Sequence, residues 1–567
     1  VMQTLARNRF VEPTTAGTGQ SAALGILLVA LLLPSASIAT KTLVASLTAL
    51  AGTSLFLAIA HRLPPTQPFL VPLFGLVYGG VVGAAVTFVA RHTDLLQFIE
   101  IWTNGEFSGV LRGRYELLWA SAAVLAVTWV FADRLTLMSL GRDVSVGLGL
   151  DYARMMQIGL LIISIVTALT VVIVGMIPFV GLVVPNMVSR LIGDNMRSLI
   201  PWVAGERRRA GARMRHHRPA AAFPLRDPPS AQCSESSARH LSCGFYCAVL
   251  PMRDRSTIVL ATLGVFALAC IAAYMTVGLR GNLWFALELR AVRPAALIVV
   301  AVSIAVSTVV FQTVTTNRIL TPSIMGLDAL YVFSQSLLVF AVGGLGFAAL
   351  DPRLKFAGEA TVMVILAALL FLPLLKARMD LILMLLTGVT VGVLFRSLSS
   401  LLARLIDPND FVVLQSASYA NFSKIHGELL VASCALTLVG IVIVWRMRHV
   451  LDVLALGRDV STGLGLEWPR VVAGMIMLVA ALVAVSTALV GPVAFFGLLV
   501  VALGERLLDT RRHAILLPAA ALVAVIVLVG GQTILQHVLG GASTLGVVIE
   551  FVGGLVFLAM LLHGVRR

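Results

Sequence analysis

The side chains most able to do chemistry in this sequence form two groups of very different quality. One is a concentration of metal-ligating types, His216, His217, Cys233, His240, Cys243 and Cys247, inside the stretch Glu206 to Arg255. Thiolates and imidazoles could hold zinc, but zinc sites pair their ligands at short, regular spacings. These six follow no such spacing, so we read no metal site and no resident cofactor. The other group is Gly and Arg recurring in order. SLGRDVSVGLGLDYAR (Ser139 to Arg154) returns as ALGRDVSTGLGLEWPR (Ala455 to Arg470), at an offset of 457 − 141 = 316. MQTLARNRFVEPTTAG returns as FQTVTTNRILTPSIMG, so Gln3, Asn8, Pro13 and Gly17 fall on Gln312, Asn317, Pro322 and Gly326, at an offset of 312 − 3 = 309. Catalysis is not visible. No G-x-x-x-x-G-K-[ST] loop is present to cradle a nucleotide. No His, Asp or Glu cluster sits at the end of an apolar span, so we expect no enzyme here.

The elements that must position these motifs are membrane helices. The chain is 59% hydrophobic and 12% charged, far below the charge of a soluble protein. Apolar stretches long enough to cross a bilayer recur throughout. The first copy predicts spans near 21–39, 42–60, 69–90, 115–132, 156–174 and 176–193. The second predicts spans near 257–277, 295–312, 327–346, 359–375, 380–404, 428–445, 471–490, 492–507, 515–536 and 544–563. Gly175, Pro178, Gly181 and Pro185, with Gly491, Pro492 and Gly497, predict short or broken helices near the seventh and eighth spans. The fold class is therefore all-α, a polytopic helical bundle of two homologous units. Two copies of one unit imply a path between pseudo-symmetric halves, hence a transporter.

The net charge of +15 follows from Lys and Arg in short loops, which marks a cytoplasmic side rather than a nucleic-acid partner. Two loops on the opposite side, Asp94 to Arg114 and Asp407 to Gly427, occupy matching places. They read equally well as connectors or as surfaces for an external partner.

With three motifs repeated in order, the third being GMIPFVGLVVPNMVSR (Gly175 to Arg190) and GPVAFFGLLVVALGER (Gly491 to Arg506), the chain resembles the FecCD-type iron–siderophore permease family. These are membrane subunits of binding-protein-dependent ABC importers, and the family also includes the vitamin B12 permease. The resemblance implies a bacterial inner-membrane, multi-pass protein that moves a ferric siderophore. Cobalamin or haem is the alternative cargo, and an ion-coupled secondary transporter is the alternative class. Leu140, Gly141, Arg142, Gly147 and Gly149, with Leu456, Gly457, Arg458, Gly463 and Gly465, would dock on a cytoplasmic ATPase dimer. The ATP and its magnesium would belong to that partner. Arg290 and Arg293 would meet carboxylates of an extracytoplasmic siderophore-binding protein, or else anchor a helix end at lipid headgroups. Asn8 and Asn317 read as polar caps of a re-entrant turn, and Gly17 and Gly326 as close-packing positions. In the second copy Val501 and Ala502 replace Pro185 and Asn186, and the copies look like two different subunits of a heteromeric permease. An ion-coupled class would need ionisable residues inside spans at paired positions; Glu550 is the best candidate found.

The resemblance divides the chain into a first unit, 1–205, lacking its first two and last two spans, an aberrant basic linker, 206–255, and a second unit of about ten spans, 256–567. Slipping one nucleotide from Glu206, and again at Pro228–Pro229, permits two family-like apolar spans to be read. The expectation is a frame-shifted join of two adjacent genes.

Overall fold

In hydrocarbon every backbone N–H and C=O must find a partner within the chain, and an α-helix does this locally. The apolar stretches accordingly become helices in the computed structural model. It describes the chain apart from residues 7–10, 15, 61, 63–69, 96–97, 100–101, 103–115, 117, 177–180, 182–183, 187, 190–195, 204–237, 279–282, 319, 324, 377–380, 408, 412, 415–421, 423–426, 494, 509, 538–544 and 565–567.

After a single helical turn, Met2–Leu5, the first unit contains α1 (Thr18–Leu32), α2 (Ile38–Ala60), α3 (Leu70–His92), α4 (Leu118–Val130), α5 (Ala132–Met138), α6 (Arg142–Gly147), α7 (Tyr152–Ile173) and α8 (Met196–Val203). The second contains α9 (Ala238–Thr276), α10 (Leu283–Val314), α11 (Leu327–Ala349), α12 (Pro352–Lys376), α13 (Leu381–Leu405), α14 (Gly427–Arg446), α15 (Arg448–Leu454), α16 (Arg458–Gly463), α17 (Trp468–Val490) and α18 (Phe496–Leu508). It closes with α19 (His513–Val525), a π-helical turn (Ile526–Gly530), α20 (Gly531–His537) and α21 (Leu545–Gly564). Among the described residues, 10 helices are long and apolar enough to cross a membrane, or 11 if α4 and α5, bent by 64° at Phe131, count as one span.

Two expectations change. The span placed at 21–39 ends at Leu32, because Leu33 leaves the helix and α2 starts only at Ile38. The span placed at 492–507 is the 13-residue α18, too short to cross alone; it begins after the left-handed Gly491. The boundary expected at 255 falls inside α9, which runs from Ala238 to Thr276. The span expected at 176–193 falls largely outside the described residues.

The core of the second unit is built around α10 and α17. Leu297, Val300 and Ala301 of α10 are fully buried against Val472, Ile476 and Val479 of α17. The first unit has a smaller core, in which Phe56 and Phe74 stack at 5.6 Å beside Leu5, Leu135 and Met138. The units meet where α3 packs on α21: a Cβ built at Gly554 would lie 2.2 Å from Val81, and Val77 and Val81 bury Leu498.

Candidate functional site

Each repeated LGRDVS motif forms a knob of the same design. After α5 the chain turns at Gly141, with φ 100° and ψ 164°, and α6 follows. Gly457 sits after α15 with φ 94° and ψ 170°, and α16 follows. A second left-handed glycine closes each knob, Gly149 at φ 82° and Gly465 at φ 87°. L side chains rarely adopt these angles, so the spacing of the glycines draws the turn. One side chain then locks it. The Ser145 hydroxyl lies 2.8 Å from the Leu137 carbonyl and 2.6 Å from that of Gly141. Ser461 repeats this at 2.8 Å from Val453 and 2.6 Å from Gly457. Both serines are fully buried. They hold the short helix down on the one before it, which gives a knob that moves as a piece.

The outside of the knob is apolar and bare. Leu140, Val144 and Leu148 are more than half exposed, as are Leu456, Val460 and Leu464. Gly147, Gly149, Gly457, Gly463 and Gly465 have no atom within 4 Å of where a Cβ would stand. Gly149, Gly457 and Gly465 are required by their left-handed angles, but nothing inside the chain asks Gly147 and Gly463 to lack a side chain. On the second knob the Arg458 guanidinium lies over the Trp468 ring at 4.9 Å. Arg458, Asp459, Thr462, Gly463, Trp468 and Pro469 line a shallow cleft. The side chain of Arg142 lies outside the described residues.

The other motif glycines are hemmed in. Gly17 caps α1 at φ 74°, and a Cβ there would lie 2.6 Å from the Tyr78 ring and 3.1 Å from Gly79 Cα. Gly326 caps α11 at φ 93°, and its Cβ would lie 2.6 Å from Gly392 Cα. Pro13 and Pro322 lend their carbonyls to these corners, accepting from Thr18 at 3.0 Å and from Leu327 at 3.4 Å. The backbone N–H of Asn317 donates to the Gln312 carbonyl at 3.1 Å. Gln312 is buried and Gln3 half-buried. Asn8 lies outside the described residues. Gly175 and Gly491, at φ 92° and 103°, end α7 and α17. Gly497 packs on Thr308 and Gly181 on Glu12.

Arg290 donates to the carbonyls of Val277 and Gly278 at 2.8 and 3.1 Å. It thus caps the end of α9, whereas Arg293 is exposed. The sequence reading missed Ser145 and Ser461, although each stands at the same place in its repeat. Also missed were Asp328 and Glu359, both buried within spans. The side chain of Glu550 lies outside the described residues.

Two repeated knobs on a duplicated helical bundle narrow the comparison with known proteins. The sequence matches the FecCD transport family over residues 1–205 and 257–563. The chain belongs to that family. It is a multi-pass membrane protein and a transport subunit of the FecCD type. The petrobactin import system permease YclO of Bacillus subtilis (strain 168) is 39% identical over 309 residues, 54% of this chain and 98% of YclO. YclN, a second permease protein of the petrobactin import system in that organism, is 47% identical over 201 residues, 35% of this chain and 64% of YclN. The iron(3+)-hydroxamate permease FhuB of Salmonella typhimurium is 25% identical over 531 residues, 88% of this chain and 75% of FhuB.

Proposed function

We propose that this chain is the permease component of a binding-protein-dependent ABC importer that carries a ferric siderophore across the bacterial inner membrane. The observation that carries the reading is the pair of identical, rigid, bare-faced knobs on a FecCD bundle. Two knobs of one shape suit the two equivalent clefts of an ATPase dimer, and their unoccupied glycines suit close approach of another backbone. Leu140, Leu148, Leu456 and Leu464 would supply the apolar contact, with Arg142 and Arg458 steering. ATP and its magnesium would stay on that partner. Hydrolysis there would move the knobs, and the knobs would reorient the helices.

A siderophore is favoured because YclO, YclN and FhuB carry petrobactin or hydroxamate chelates in their names. Cobalamin and haem remain the alternative cargoes of the same machinery. An ion-coupled carrier fits less well: Asp328, buried in α11, has Gly19 at its place in the first copy (328 − 19 = 309), so this buried charge is not paired between the halves. Arg293, and Arg290 through its hold on α9, would lie on the face offered to a siderophore-binding protein.

The test is uptake of iron-loaded petrobactin into proteoliposomes holding this chain, its ATPase and its binding protein. Uptake that requires ATP and the ATPase is expected. Uptake that persists on an ion gradient alone would overturn the proposal.

We also infer that residues 206–255 arise from a shifted reading frame between two adjacent permease genes. Their composition breaks with both flanks, and the family match stops at 205 and resumes at 257. Resequencing the DNA from Ala204 to Ser256, with a cDNA read across it, decides this: a frame encoding two apolar spans supports it, and the frame as given refutes it.

A further inference from the structure

Behind the second knob a buried histidine touches three helices at once. His513 is the first residue of α19 and is 2% exposed. Its backbone N–H donates to Oδ1 of Asp452, on α15, at 2.9 Å. Its ring Nδ1 lies 2.6 Å from the same oxygen. A carboxylate can only accept, so Nδ1 carries the proton of that bond. On the far side of the ring, Nε2 lies 2.7 Å from Oγ1 of Thr313, in the last turn of α10. Asp452 stands six residues before Arg458, where α16 begins. Thr313 stands just before the turn that leads to Pro322 and Gly326. The imidazole is therefore a rigid spacer between the base of the knob and the ends of two membrane helices.

The first unit has the same joint without the ring. Thr136 on α5 corresponds to Asp452 (452 − 136 = 316), and Thr4 to Thr313 (313 − 4 = 309). The first residue of α8 is Met196, and its backbone N–H donates to Oγ1 of Thr136 at 3.1 Å. Here the helix start is tied to the knob, but thioether replaces imidazole and cannot reach on to Thr4 by hydrogen bonds. An aspartate takes the place of a threonine in the one joint where a ring N–H needs an acceptor.

We propose that His513 is a positioning residue that couples the second knob to α10 as well as to α19, so that the two halves answer a push on their knobs unequally. Motion of α15 is carried through Asp452 to the ring, and through Nε2 to the helix that ends in the family's glycine corner. In the first half the hydrogen-bonded link described here runs from α5 to α8, and α5 meets the Met2–Leu5 turn through apolar packing. The inference rests on the permease reading for what pushes the knob, and on the geometry alone for the linkage.

Two half-bridge variants test it. H513N keeps a donor at the position of Nδ1 and loses the reach to Thr313. H513Q keeps a hydrogen-bonding amide near Nε2 and loses the side-chain bond to Asp452, leaving only the backbone N–H on that carboxylate. In backbone amide exchange on the full chain in lipid nanodiscs, H513N should loosen the last turn of α10, speeding exchange about tenfold there, while α15 keeps its protection. H513Q should loosen α15 and leave the end of α10 protected. A histidine that merely stabilises the fold would give the same pattern in both variants; an identical pattern, or no change in either, overturns the proposal. In proteoliposomes with ATPase and binding protein, both variants should lower iron-petrobactin uptake per ATP hydrolysed about fivefold or more, without slowing hydrolysis. Unchanged uptake per ATP would overturn the coupling role. Wild-type chain that takes up nothing would count against the permease reading, and the exchange result would still judge the bridge.

Discussion

The two knobs agree where they face outward and differ where they face the bundle. Within the knobs themselves, Gly141 and Gly457, Ser145 and Ser461, and Gly149 and Gly465 repeat one another in dihedral angle and hydrogen bond. On the inside, a Thr136–Met196 link in one half faces an Asp452–His513–Thr313 chain in the other. On the proposed docking, a surface that fits two equal clefts is held to one shape. The joint behind it answers only to its own half, so it is free to become stiffer or looser. A duplicated transporter can thus be symmetric at the point of drive and asymmetric at the point of response.

Substitutions made in pairs, one per half, would break or sharpen this contrast. The largest effect is expected at the glycine corners. G326A places a Cβ against Gly392 Cα at 2.6 Å at a left-handed residue, and should destabilise the second unit by about 3 kcal/mol or more. G17A meets the Tyr78 ring, a side chain and not backbone, at 2.6 Å, and should cost about 2 kcal/mol. Thermal unfolding of the purified variants, read by amide exchange in each half, measures both. Next come the joints. D452A strands a buried imidazole and a helix N–H, and should cost about 2 kcal/mol, against about 1 kcal/mol for T136A. Equal losses would mean that the ring adds nothing. The serines follow: S145A and S461A should each cost about 1 kcal/mol and to the same extent, because their geometry is the same. Unequal losses would undo the claim of matched knobs. The smallest effect on stability, within about 0.5 kcal/mol, is expected for G147A and G463A, which open onto empty space. Their enlarged versions, G147L and G463L, should leave melting unchanged yet weaken capture of the ATPase about tenfold in a pull-down titration.

Much of this was legible in the sequence because membrane helices announce themselves by length and apolarity, and because the repeats mark corresponding places. The positions of α2, α7, α14 and α17 follow directly. The end of α1 at Leu32 was missed because the apolar run continues through Leu33, although Pro34 carries the signal: its ring pushes Leu33 out of the helical region. Gly457 and Gly141 stand out by type and spacing, whereas Ser145 and Ser461 looked like ordinary polar residues until their hydroxyls were seen under the knob. The joint at His513 was the least legible. Its three members lie 139 and 61 positions apart in the chain (452 − 313 and 513 − 452), and no periodicity links an acid, an imidazole and a hydroxyl brought together only by packing. Arg290 was read as a basic residue for an external partner; its bonds to Val277 and Gly278 depend on how α9 ends, which composition does not tell.

The empty surroundings of Gly147 and Gly463 have a meaning for evolution. A glycine wedged against its own fold is held in place by that fold, and a relative that changes it must repack itself. A glycine facing nothing is held only by another molecule. Across related permeases these two positions should therefore change together with residues of the ATPase and not with any residue of the permease. On the proposed docking, they are an imprint, kept in one gene, of a surface encoded by another.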